Sequence, residues 1–134
     1  MLKNYLIFIA ASIALMACRT SNKEIRSAIE NADSVAINYF NETVTDSVVA
    51  VRIIRDKHTM DQLTDLIAAD TTTFTPHSGV DGSIHFFKQD AVVEDIFFTL
   101  HSDSSMFFFF KQDGRIVATT LSPSARELLQ SLEK

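Results

Sequence analysis

Four histidines, one cysteine and one adjacent pair of carboxylates are the residues here whose types suit catalysis or metal binding. His58, His77, His85 and His101 are widely spaced, and no two stand in an HxxxH or HExxH arrangement. A zinc site needs three or four donors converging on one ion, and isolated imidazoles do not supply that. Serine is plentiful, but there is no G-x-S-x-G elbow to lift a nucleophile out of a sheet. Glu94 and Asp95 are neighbours in the run VED. On a strand they point to opposite faces, which is poor geometry for a cooperating acid and base. Only three glycines are present, Gly79, Gly82 and Gly114, so no glycine-rich phosphate loop can be built. These residues point away from catalysis and imply no metal and no cofactor. A small hydrolase with an unfamiliar site, resting on His77 or His85, is the least favoured reading.

The cysteine belongs to a different chemistry. The chain opens MLKNYLIFIAASIALMAC, with Lys3 ahead of an apolar run from Leu6 to Met16. That run is too short for a permanent membrane span and has the layout of an export signal. Leu15 to Cys18, LMAC, resembles the lipobox of bacterial lipoproteins. The resemblance covers residues 1–18 and implies three things: removal of residues 1–17, acylation of the Cys18 thiol, and membrane attachment through the acyl chains. Two or more such chains give lasting anchorage. Arg19 follows the cysteine, where the resemblance associates aspartate with inner-membrane retention, so the outer membrane is the expected destination. A lone cysteine forms no internal disulfide, which agrees with a thiol committed to lipid.

The remaining chain, Cys18 to Lys134, has 117 residues and suits one domain. A short tether, residues 18–22, leads into a domain over 23–134. Without Lys3 the balance is 11 basic and 17 acidic residues, a net charge of −6. With no basic patch, nucleic acid is not an expected partner.

The elements follow from period and punctuation. Ser21 with Glu24 has capping-box spacing, and apolar residues from Ile25 to Phe40 recur at helical intervals. The spacing predicts a helix from about Asn22 to Phe40. Thr43 to Arg55 is rich in β-branched residues and reads as a strand. Thr59 with Gln62 suggests a second capped helix, carrying Met60, Leu63, Leu66 and Ile67. Asp70 to Gly82 reads as a long surface loop holding Phe74 and His77. From Ser83 to Leu121, four strand-like runs separated by QDA, HSDS and QDG indicate an antiparallel meander. Ser122-Pro123 then opens a short C-terminal helix. The expected fold is α+β: an antiparallel sheet of about five strands, helices on one face, order α-β-α-β-β-β-β-α.

Within the meander, FFKQD occurs twice, at Phe86–Asp90 and Phe109–Asp113. Each copy reads as a strand running into a turn. Asp113-Gly114 suits a type I′ hairpin. Asp90-Ala91 does not, because alanine resists positive φ, so that turn is expected to be longer or of another type. Eight of the ten phenylalanines after Cys18 fall between Phe86 and Phe110. Side chains alternate across a strand, so neighbouring phenylalanines divide between two faces while helices cover one. The run Phe107, Phe108, Phe109 and Phe110 is therefore the candidate interaction surface, for a protein or an apolar ligand. A lipid-anchored, non-catalytic binding module is the favoured function. An exported inhibitor or immunity-type module is the alternative.

Overall fold

The computed structural model describes residues 22–41, 47–69, 71–73, 79–100 and 106–134. The elements are α1 (Lys23–Ile29), β1 (Ser34–Phe40), β2 (Val48–Ile54), α2 (Lys57–Ile67), β3 (Thr71–Thr73), β4 (Gly82–Lys88), β5 (Ala91–Phe98), β6 (Phe107–Gln112), β7 (Arg115–Thr120) and α3 (Pro123–Glu133). The strands form one sheet in the order β2-β1-β4-β5-β6-β7-β3, with every neighbouring pair antiparallel. The α+β class, the β4–β7 meander and the one-sided helices are as the sequence implies. The element order is α-β-β-α-β-β-β-β-β-α, and the two additional strands are β1 and β3.

The largest correction lies between Asn22 and Phe40. The helix stops at Ile29, and Ser34–Phe40 is a strand between β2 and β4. Asn22, not Ser21, caps the helix: its side chain accepts from the Ile25 N–H at 3.1 Å. Val35, Ile37 and Tyr39 alternate, and all three are buried. Val35, Ala36 and Tyr39 also satisfy helical spacing, so the residues fit two periods at once. β-branched side chains are stiff and favour the extended form, and a sheet partner on each side secures it. The other differences are smaller. Asp56, rather than Thr59, caps α2 by accepting from the Thr59 N–H at 2.9 Å. Thr71–Thr73 leaves the expected loop to pair with β7, while Phe74 and His77 fall outside the described residues.

Register places α1, α2 and α3 on one side. Val35, Ile37 and Tyr39 stand beside Phe86, Ile84 and Gly82, and these continue across the ladders to Ile96, Phe98, Phe108 and Phe110. This face carries the core, and Phe86, Phe98, Phe108 and Phe110 are all essentially inaccessible. Full burial of each contributes about 1.5–3 kcal/mol. The helices are pinned to the same face by polar ties. The Tyr39 hydroxyl donates to the Leu129 carbonyl of α3 at 2.6 Å, and its ring meets Phe98 edge-on. Thr119 Oγ1 donates to the Ile67 carbonyl at the end of α2 at 2.8 Å. Asn22 Nδ2 donates to Gln112 Oε1 at 2.6 Å, and Gln112 Nε2 donates to Glu24 at 2.7 Å, holding α1 to β6.

The two FFKQD copies do not fold alike. In the second, Asp113 (φ 52°) and Gly114 (φ 74°) form the two-residue turn, with Gln112 opposite Arg115. In the first, the turn is Gln89 (φ 51°) and Asp90 (φ 64°), with Lys88 opposite Ala91. The first turn is therefore also two residues long, one position earlier than Asp90-Ala91. Ala91 is spared positive φ at the expense of Gln89.

Two stability predictions follow from these positions. A Cβ on Gly82 would collide with the Phe98 ring and approach the Asn38 carbonyl to 2.5 Å. Gly82→Ala is therefore expected to cost about 1–3 kcal/mol, as overpacking does, read from the urea midpoint. Gln89→Asn places a residue more tolerant of positive φ in the first turn and is expected to raise stability by about 0.5 kcal/mol. A lower midpoint would show that Gln89 is not strained.

Candidate functional site on the uncovered sheet face

The reverse face of the sheet carries no helix among the described residues, and its chemistry is divided into zones. At the β2 margin stand Val48, Val51 and Ile53, 48–54% exposed. Val49 is the extra residue of a bulge, because Tyr39 pairs with Ala50 and Phe40 with Val48. β1 bonds β2 through Tyr39, Ile37 and Val35, since the Phe40 N–H turns the other way, to Asp81. Ladder alternation then sends the N–H and C=O groups of Val51 and Ile53 outward from the sheet edge. Arg52 reaches round from the helix side, donating to the Glu133 carbonyl at 2.6 Å and to the Val51 carbonyl at 3.0 Å. A charged side chain over part of an edge opposes indiscriminate edge-to-edge pairing.

The middle of the face is polar. Asn38, Ser83 and Phe97 form one row across the strands, and Ala36, His85 and Asp95 form the next. His85 Nδ1 is hydrogen-bonded to Asp95 Oδ1 at 2.5 Å, and His85 Nε2 to the Ser83 hydroxyl at 2.9 Å. Asn38 Nδ2 donates to Ser83 Oγ at 3.3 Å. The connectivity is that of a serine–histidine–aspartate triad, but the surroundings differ. Ser83 is only 2% exposed, and β4 is laddered to a neighbour on each side. An acyl-transfer centre needs an approach path and N–H donors aimed at the oxyanion. The arrangement suits a hydrogen-bonded tie across β1, β4 and β5.

The third zone is a cleft. β5 and β6 pair only at Phe97↔Phe109 and Phe98↔Phe108. Beyond these pairs, the β5 segment from Ile96 back to Ala91 parts from Phe110–Gln112. The opening has a volume of about 490 Å³. Its apolar walls are Val92, Val93, Phe97, Phe109 and Ile116, with Phe110 at the base. Phe97 stacks on Phe109, centroids 5.8 Å apart. Glu94, Asp95 and Lys111 add charge to the lining. Val93 is the extra residue of a β5 bulge, since Phe86 pairs with Glu94 and Phe87 with Val92. Glu94 points to the helix side, and burial raises its pKa above the usual carboxylate range. The charges of Asp95 and Glu24 act in the same direction, against a lowering by the Asp95 N–H.

The phenylalanine run thus divides between two roles. Phe108 and Phe110 belong to the core, while Phe107 and Phe109 lie on the uncovered face, Phe109 largely beneath Phe97. His58 is exposed on α2. His101, like His77 and Cys18, falls outside the described residues, and among the described residues no three His, Cys, Asp or Glu side chains gather as a metal site. The β2 valines, the cleft and the Ser83–His85–Asp95 tie were not singled out from sequence. A turn at Gln89-Asp90 would by itself place His85 opposite Glu94; the Val93 bulge brings Asp95 into register instead, and no local signal marks that bulge or where β6 peels from β5. No protein-family model, no curated protein and no solved structure matches this chain.

The raised Glu94 pKa has a signed consequence. Between the reference value near 4.5 and its higher folded value, the native state holds more protons than the unfolded chain. Its contribution to stability therefore falls as pH rises through that window. Glu94→Gln is expected to raise the urea midpoint at pH 7 and to leave it nearly unchanged near pH 4, where glutamate is largely protonated in both states. A gain of equal size at both pH values would count against a buried carboxylate at this position.

Proposed function

We propose that the protein is an exported lipoprotein, anchored in the cell envelope through acyl chains on Cys18, and that it works as a non-catalytic binding module. Arg19 after the cysteine favours the outer membrane as its site. The observation that carries the binding role is the one-sided cover of the sheet among the described residues: their three helices pack on one face, while Val48, Val51 and Ile53 stand about half exposed on the other. Apolar side chains grouped at a sheet margin are a common feature of protein interaction sites. The occupant that fits is an apolar segment of another envelope protein, laid along β2. Outward-directed backbone groups at Val51 and Ile53 offer hydrogen bonds, and the adjoining side chains offer apolar contact, as in strand addition. Such a partner displaces the Arg52 guanidinium from the Val51 carbonyl, which makes the edge selective rather than adhesive.

Radiolabelled palmitate fed to cells producing the full chain is expected to label the wild type and not Cys18→Ser. Partner capture from those cells by photocrosslinking at position 53 is expected to recover one protein and to lose it in Val51→Asp. Absence of label removes the lipoprotein reading. Unchanged capture by Val51→Asp removes the β2 docking reading. A single enzyme recovered in equal amount, and blocked by the bound chain, would identify the binding as inhibition.

A further inference from the structure

We infer that the cleft between β5 and β6 receives one of the acyl chains attached to Cys18, so that the anchor is partly folded back into the domain. This rests on the lipoprotein reading above. The cleft's direction is the first argument. β5 and β6 are joined at Phe97–Phe98 and part toward the Ala91 end of β5 and the Gln112 end of β6. The described chain begins at that same end of the sheet. Asn22 is bonded to the Gln112 side chain at 2.6 Å, one residue beyond Lys111 of the lining, and its N–H donates to the Ala68 carbonyl. Four residues separate Cys18 from Asn22, a reach of at most about 14 Å. The open end of the cleft is thus within reach of the lipid-bearing residue.

Shape and charge narrow the choice of occupant. Val92, Val93, Phe97, Phe109 and Ile116 wall a half-open, largely apolar space of about 490 Å³, which lies in the range of small-molecule sites. On the helix side the opening is backed by polar groups already bonded to one another: Asn22 to Gln112, and Gln112 to Glu24. The lining carries two carboxylates, Glu94 and Asp95, against one ammonium, Lys111. That balance disfavours a free fatty acid, whose own carboxylate would meet a net negative lining. A chain joined covalently to Cys18 brings no ionisable group. With one chain in the cleft and the others in the bilayer, the Ala91–Gln112 end of the sheet faces the membrane, and the β2 margin stays clear for a protein partner.

The chain has no tryptophan, so a single one can report on the cleft. Ile116→Trp and, separately, Val92→Trp replace exposed wall residues, and the second serves if the first does not fold. Each full-length variant is isolated from the envelope, its acylation is read by mass, and it is placed in vesicles of phosphatidylcholine brominated on its chains. The expected result is an acylated protein whose tryptophan emission is blue-shifted from that of the matching Cys18→Ser chain. Iodide quenching is expected to be lower by roughly two-fold, as for a wall covered by a ligand, with little quenching by bromine. Strong bromine quenching would mean that a bilayer lipid enters instead. Emission matching Cys18→Ser in an acylated protein would mean that the cleft is empty. Either outcome overturns the inference while leaving the lipoprotein reading intact. A mass without acyl chains would overturn both.

Discussion

A strand presents side chains to two faces, and among the described residues helices pack on only one of them. The rest of the structure depends on that constraint. On the covered face, Phe86, Phe98, Phe108 and Phe110 fill the space beneath three helices. The ties from sheet to helix at Tyr39, Thr119, Gln112 and Arg52 each end in a hydrogen bond to helix backbone or side chain. The other face has to manage without such cover. It does so by division: a polar tie through Ser83, His85 and Asp95 across the centre, a stacked Phe97–Phe109 pair beside it, and apolar residues left exposed at β2 and in the cleft.

The same alternation explains why a repeated motif does not make a repeated structure. In the first FFKQD, the turn occupies Gln89 and Asp90; in the second, it occupies Asp113 and Gly114. The turn falls one residue earlier relative to the motif. Phe86 consequently enters the core while Phe87 turns to the uncovered face; Phe109 lies on the uncovered face while Phe110 enters the core. A one-residue change of register exchanges the faces of every side chain. Glycine after the second aspartate is the local cause, because Asp-Gly satisfies two positive φ angles. Without it, the first copy turns through Gln89 and Asp90, sparing Ala91.

The candidate site was less legible in the sequence than the fold. The phenylalanine run was visible, but half of it proved to be core, since only register tells Phe107 and Phe109 from Phe108 and Phe110. The polar tie joins residues two and ten positions from His85, and its assembly depends on the hairpin register. The cleft is less visible still, because it arises where a ladder stops. Phe110, Lys111 and Gln112 would continue the pairing with Ile96, Asp95 and Glu94 in a regular sheet, and no residue type there announces the separation.

Composition, punctuation and period by themselves determined the α+β class, the four-strand meander, the Ser122-Pro123 helix start and the Asp113-Gly114 turn. These rest on interactions within a few residues: caps, turn dihedrals and side-chain alternation. Tertiary structure alone decided that Ser34–Phe40 is a strand, that Thr71–Thr73 pairs with β7, and that β5 and β6 diverge. In isolation the segment fits a helix through Val35, Ala36 and Tyr39 and a strand through Val35, Ile37 and Tyr39 equally well. The backbone of β4 and β2 on either side, and the α3 carbonyl waiting for the Tyr39 hydroxyl, settle the choice, and the β4 and α3 partners lie beyond any local window, from Tyr39↔Gly82 to Ser34↔Phe87 for β4 and 90 residues away for α3.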